Sequence, residues 1–168
     1  GLITSLLFAL QVAVLINQNH KIRSRVKQAT EALQNNQTLM QDFLDNAPAI
    51  AYINDSKGKY LLVNDSWQQT TNVAKTDAIG HTEQDLDPQN ADATNAQEQS
   101  IVATRAAITL EETVVSGAKG ARDFISHKLP LIDANGKVYA IGGVASDITE
   151  QKRQQTLLAC IFDNATDG

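Results

Sequence analysis

Cysteine is nearly missing from this chain, which has one, Cys160. A single cysteine excludes an intrachain disulfide and any zinc site built on thiolates. Cys160 falls at an apolar-looking helical position, which predicts a buried, inert thiol. Helix breakers are missing over a long stretch, with no Pro or Gly between residues 2 and 47. Charge is missing from residues 1–16, GLITSLLFALQVAVLI, where only Thr4, Ser5 and Gln11 are polar. The chain has no G-x-S-x-G, no glycine-rich phosphate loop and no supported Ser-His-Asp set, and kinase, cyclase and phosphoacceptor motifs are missing too. Catalysis by these residues is therefore not expected. There is no basic excess either: the net charge of −5 argues against a nucleic-acid partner. What is present is a globular balance of 42% apolar and 20% charged residues over 168 positions, enough for one ordinary domain with extensions.

The uncharged run at 1–16 predicts the C-terminal part of a transmembrane helix. A full span takes about 20 such residues, so the chain reads as starting, on Gly rather than Met, inside that helix. A signal peptide is opposed by basic residues on the wrong side and by the lack of a small-residue cleavage site. A buried core helix is the other alternative, since its usual length overlaps this run. Lys21, Arg23, Arg25 and Lys27 follow, with no acid until Glu31. Such a cluster resists translocation, so the downstream residues are predicted on the cytoplasmic side of an inner membrane.

Leu15, Asn19, Ile22, Val26, Ala29, Leu33, Asn36, Met40 and Phe43 alternate steps of four and three residues. This is the seam by which two helices bury a common stripe, and the polar Asn19 and Asn36 fix register at some cost in packing. The spacing predicts a coiled-coil signalling helix over 17–47 and a homodimer. A lone amphipathic helix lying on its own domain is the alternative.

After Pro48 the pattern changes to short strands. Residues 49–54 and 60–63 flank Asp55-Ser56-Lys57-Gly58-Lys59, and 122–132 and 138–146 flank Asp133-Ala134-Asn135-Gly136-Lys137. An early Asp and a late Gly supply the side-chain-stabilised turn and the positive-φ residue of a hairpin. A further strand, 109–115, joins 122–132 through Ser116-Gly117-Ala118-Lys119-Gly120. Between the blocks, 63–72 predicts a short helix capped by Asn64 or Asp65. Thr82-Glu83-Gln84-Asp85 predicts a short turn before Pro88. A longer helix over 92–108 follows, with Ile101, Val102 and Ile108 as its apolar face. The order is α+β, and helices lying across one sheet face leave a cavity as the natural ligand site.

Residues 43–154 resemble the PAS sensory domain. The resemblance is carried by FLDNAPAIAYINDSKGKYLLVNDSW, by IGHTEQDLDP and above all by KLPLIDANGKVYAIGGVASDITEQKR, whose Asp-Ile-Thr-Glu run marks the C-terminal PAC part of the motif. It implies a five-stranded antiparallel sheet in the order 2-1-5-4-3 with helices on one face. It also implies a dimerising module, often in tandem, between a membrane sensor and a histidine kinase or diguanylate cyclase. Such modules bind small molecules, cofactors or nothing. The branch that forms a flavin adduct needs a Cys in the long-helix region, and 64–108 has none, so that photochemistry is excluded.

In the DITE run, Asp147 is predicted to cap the following helix, 148–162, while Glu150 reaches back in a capping box. Asp147, Thr149 and Glu150 are thus the candidate signal relay. Alternation puts Phe124, Ser126 and Lys128 on one strand face and Ile125, His127 and Leu129 on the other. With Tyr52, Trp67 and Ile101, the first three make the candidate pocket. Trp67 fits a core position better than a flavin stack. His20 reads as solvated beside the basic cluster, His81 as a surface residue and His127 as a hydrogen-bonded sheet residue, so no haem ligand is assigned. Asp85, Asp87 and Asp92 fit no known cation loop.

Finally, QTLMQDFLDNA (37–47) returns as QTLLACIFDNA (155–165). Fixed-offset similarity marks a repeated unit, so 163–168 reads as the start of a second PAS-like domain, with Leu158 and Ile161 standing where Met40 and Phe43 stand. The expected function is a sensory and dimerisation module, the PAS domain proper being 48–147. The alternatives are a haem or flavin sensor of redox state or gas, and a ligand-free structural spacer.

Overall fold

Two turns of the same build set the sheet's geometry. In the computed structural model, Asp55 Oδ1 accepts from the amides of Lys57 and Lys59 at 2.8 and 2.9 Å. Asp133 Oδ1 accepts from Asn135 and Lys137 at the same distances. Gly58 and Gly136 close these turns at φ of 76° and 78°, which disfavour any side chain. The structure describes residues 1–116 and 120–166, with side chains described except at 4, 6, 9, 12, 115, 116 and 163–166.

The strands are β1 (Ile50–Asp55), β2 (Tyr60–Val63), β3 (Ile108–Ser116), β4 (Gly120–Ile132) and β5 (Val138–Asp147). They form one five-stranded antiparallel sheet in the order β2-β1-β5-β4-β3, the expected topology. Register places Asn54 opposite Ile141, Tyr52 opposite Gly143, and Lys128 opposite Gly143 on the other side. Tyr52, Asn54, Phe124, Ser126 and Lys128 therefore share one face, as strand alternation predicts. Phe124, Ser126 and Lys128 are buried, whereas His127 and Leu129 are exposed.

The helices are α1 (Leu2–Asp45), α2 (Asp65–Thr71), α3 (Lys75–Ala78), α4 (Glu83–Leu86), α5 (Pro88–Thr104) and α6 (Thr149–Thr166). The chain divides into two compact units, Gly1–Phe43 and Leu44–Gly168. In the second, Tyr60, Val63, Trp67 and Ala78 form a core joined by Ile50, Tyr52, Val73 and Leu86.

Three expectations are corrected. The long helix covers Pro88–Thr104 rather than 92–108. Pro88 has the fixed φ suited to a first helical position, and Arg105 turns left-handed at φ 54° to end the helix. Ile108 accordingly opens β3, opposite Lys128. Ile101 is fully buried while its neighbour Val102 is 44% exposed, because adjacent helical residues point about 100° apart. Cys160 is exposed rather than buried, since α6 presents Leu157, Leu158, Ile161 and Phe162 to solvent as well.

The expected membrane segment at 1–16 is only part of a span. Among the described residues no helix is long and apolar enough to cross a membrane. The uncharged run meets Asn17-Gln18-Asn19-His20 directly, and that polar stretch cuts the apolar length short. In the first unit the seam residues Ile22, Val26, Ala29, Leu33, Asn36, Met40 and Phe43 are exposed. The backbone of α6 continues through 163–166, where the second domain was expected to begin. The side chains of those residues, and all of 167–168, lie outside the described residues.

Candidate functional site

The inner sheet face is more polar than its position requires. Tyr52 lies directly over Gly143, so closely that a Cβ on Gly143 would overlap the ring. Tyr52 meets Tyr60 edge-on at 5.8 Å, and Tyr60 meets Trp67 at 5.2 Å. These aromatics fill the core, and Trp67 is part of it. Beside them lie groups that ordinarily avoid burial: Asn54, Glu98, Ser126 and Lys128. Asn54 Nδ2 donates to Glu98 Oε1 at 2.7 Å, and Lys128 Nζ donates to Gln97 Oε1 at 2.6 Å. The Ser126 hydroxyl donates to Glu112, and the Tyr60 hydroxyl to Glu83.

Burial pushes the Glu98 carboxyl above its ordinary range, against the Asn54 hydrogen bond and the Lys128 charge. Burial likewise raises Glu83, against the Tyr60 hydrogen bond and Lys128. Both tyrosine hydroxyls are pushed far up, first by burial and then by neighbouring glutamates.

The structure brings the six candidate pocket residues, Tyr52, Trp67, Ile101, Phe124, Ser126 and Lys128, to the buried side of the sheet. A cleft of about 190 Å³ lies between α2 and the ends of β4 and β5, bordered by Ser66, Thr70, Arg122, Phe124 and Asp147. A larger one, about 370 Å³, lies between the β1–β2 turn and α5 and is bordered by Asp55, Gly58, Glu98, Val102 and Ile141.

Asn54, Glu98 and Glu112 escaped the sequence reading. Asn54 stands two residues after Tyr52 on an alternating strand, and Glu98 three before Ile101 on a helix. Both periodicities put them on the buried face, and their polarity was the signal to weigh.

At the exit, Asp147 Oδ1 accepts from the Thr149 amide at 2.9 Å and from its hydroxyl at 2.6 Å. Asp147 also pairs with Arg122 across the β4–β5 edge. Burial works against the charge, but the Thr149 and Arg122 hydrogen bonds hold the Asp147 carboxyl below the usual range. The Asp123 amide donates to Thr149 Oγ1 at 2.9 Å, and the Ile148 amide to the Asp123 carbonyl at 2.8 Å. Lys152 adds an ion pair to Glu111 at 2.7 Å.

The expected capping box does not form. Because α6 begins at Thr149, Glu150 is its second residue rather than its third, and its carboxylate accepts from Gln154 instead.

At the entry, Asn64 is fully buried and its side chain makes four hydrogen bonds. Its Oδ1 accepts from the Ala51 and Trp67 amides at 2.9 and 3.0 Å, and its Nδ2 donates to the Leu44 and Ala49 carbonyls at 2.8 Å. Asp45 accepts from the Asp65 amide and pairs with Lys75, which also pairs with Asp65.

The histidines lie apart. His127 Nδ1 is 2.8 Å from Thr109 Oγ1 on the exposed face, and His20 and His81 are exposed. Among the described residues no three His, Cys, Asp or Glu side chains gather as a metal site would.

With strand order, exit helix and polar interior in place, the class is defined: the chain belongs to the PAS fold family, which matches residues 44–153. Over 155 residues it is 28% identical to the virulence sensor protein BvgS of Bordetella pertussis, covering 90% of this chain but 12% of that protein. The solved PAS domain of Bordetella pertussis BvgS superposes with a TM-score of 0.61 at 23% identity, covering 77% of this chain and 98% of that one. A phage VqmA–DPO complex has the same fold, with a TM-score of 0.61 at 22% identity over 80% of this chain and 62% of that one.

Proposed function

We propose that this chain is a sensory PAS module that relays the state of its sheet and interior to a downstream effector through α6, and that it works as a homodimer paired along α1. One observation carries the relay. The first turn of α6 is fastened to β4 through Asp147–Arg122, Ile148–Asp123 and Thr149–Asp123. A displacement of β4 against β5 then reaches α6 as a strained or broken cap rather than being absorbed by a loop. The similarity to a virulence sensor protein supports a role in signalling, and the exposed seam supports pairing of the helices.

Replacing Asp147 by Ala removes both the Thr149 acceptor and the Arg122 partner. Amide exchange in the first turn of α6 is expected to quicken roughly fivefold, the equivalent of one cap worth about 1 kcal/mol, with protection of the sheet unchanged. In the full-length parent the same variant should no longer convert stimulus into output. A folded Asp147→Ala protein with native α6 exchange and native output would refute the relay.

A further inference from the structure

The cleft between the β1–β2 turn and α5 lies apart from the groups that fasten α6, yet its wall carries a buried carboxyl. Glu98 borders it and is 7% exposed. Its Oε1 is taken by Asn54, while its Oε2 lies toward Gly58, 3.6 Å from where a Cβ on that glycine would stand. The absent side chain keeps this space open. Asn54 is 1% exposed, and its Oδ1 has no hydrogen-bond partner. Ile141, its direct neighbour across the sheet, borders the same cleft. Asn54 is not itself part of the wall; its hydrogen bond holds Glu98 Oε1, which leaves Oε2 as the acceptor that an occupant's donor would meet.

Charge points the same way. Lys128 is the buried ammonium acting on both Glu83 and Glu98. One ammonium between two carboxyls leaves one negative charge, which a bound proton or a second cation must offset. Asp55, at the rim, already spends Oδ1 on two backbone amides of its own turn. Lys57, also at the rim, is exposed, and its charge is screened by water. Val102, Ala103 and Ile141 supply apolar wall.

We infer that this cleft binds a small organic cation, an ammonium or guanidinium on a short apolar body, whose head donates to Glu98 Oε2. An anion would meet the charge of the Glu98 and Asp55 carboxylates, which opposes it. A bare divalent ion would lack the several oxygen ligands it needs. Binding itself does not depend on the relay reading; only its consequence, a change at α6, rests on it.

The test titrates the whole chain with n-butylamine and agmatine, with n-butanol and butyrate as neutral and anionic counterparts, followed by calorimetry and by α6 amide exchange. At least one of the two cations should bind saturably while n-butanol and butyrate do not. Glu98→Gln, which keeps the size and the Asn54 contact, should weaken that binding at least about tenfold. Gly58→Asn, a residue tolerant of positive φ, should do the same by filling the space before Oε2, and Asp147→Ala should leave affinity unchanged. No saturable binding by either cation, equal binding of butyrate, or undiminished binding by folded Glu98→Gln and Gly58→Asn proteins would each overturn the site. A cation that binds through Glu98 without altering α6 exchange upholds the site and refutes its coupling to α6.

Discussion

Gly143 shows how one missing side chain can hold a core together. The Tyr52 ring occupies the volume that a Cβ there would need. Gly143→Ala should therefore force Tyr52 and, through its edge contacts, Tyr60 and Trp67 out of their positions. Overpacking of this kind costs about 1–3 kcal/mol, and thermal unfolding measures it. An unchanged midpoint would mean that the ring has room elsewhere. Titration offers a second residue-scale prediction. Glu98 and Glu83 have folded pKa values above the unfolded value of about 4.3, so their contribution is greatest below that pH and is lost as pH rises through the folded values. Asp147 acts oppositely: its contribution is present above about pH 3.9 and is lost as pH falls through its lowered folded pKa. Unfolding midpoints followed upward from pH 5 should decline less steeply in Glu98→Gln than in the wild type. Asp55 and Lys128, the charged neighbours of Glu98, are unaltered in that comparison. Parallel curves would count against the assignment.

Among the elements, the junction at Asn64 stands out. It caps α2, joins β1 and holds the carbonyls of Leu44 and Ala49 on either side of Pro48. Asn64→Ala gives up the cap and leaves buried backbone groups unpaired, a loss of about 3 kcal/mol. Asn64→Asp keeps the two acceptor bonds but has no donor for the carbonyls. It should fall between the wild type and Ala in denaturant unfolding; an Asp variant as unstable as Ala would show that the donor bonds dominate. The cap was legible, because Asn and Asp at 64 and 65 precede a short helical run. The other bonds were not, since nothing in a local pattern tells a cap residue to reach back across twenty positions. Strands were read well for a local reason: Asp and Gly in the turns fix where each one starts and stops. The bounds of α5 were missed because Pro88 was taken as an end when its fixed φ also suits a beginning. The short α3 has no signal beyond tertiary packing of Ala78, which is fully buried.

For the whole molecule, the two units Gly1–Phe43 and Leu44–Gly168 carry separate tests. Inserting one residue beside Asn35 shifts the seam by a quarter turn or more, whereas seven residues restore it. In a Cys160→Ser background, disulfide cross-linking through Val26→Cys should survive the longer insertion when cysteine and insertion are combined. Below the insertion, cross-linking through Met40→Cys should weaken with the shorter one. Equal behaviour of the two insertions would remove the coiled-coil dimer from the proposal. The fold was legible in the sequence through its turns, its alternation and the DITE run. The polar interior was less so, because Asn54 and Glu98 are ordinary surface residue types whose burial emerges only when β1 and α5 meet. The exposure of α6 shows the complementary limit: an apolar row predicts burial but does not name the partner that buries it.

Asn64 also bears on how the gene can be divided. Its amide grips the chain on both sides of Pro48, so a fragment opened at Pro48, where the helix pattern stops and strand pattern starts, would discard Leu44 and Asp45. Two ties would be cut with them: the Leu44 carbonyl, and the carboxylate that meets Lys75 and the Asp65 amide. A splice point for transplanting this domain into another protein belongs ahead of Leu44, inside the last turns of the helix. The visible border between helix and sheet is the one place where the domain should not be cut.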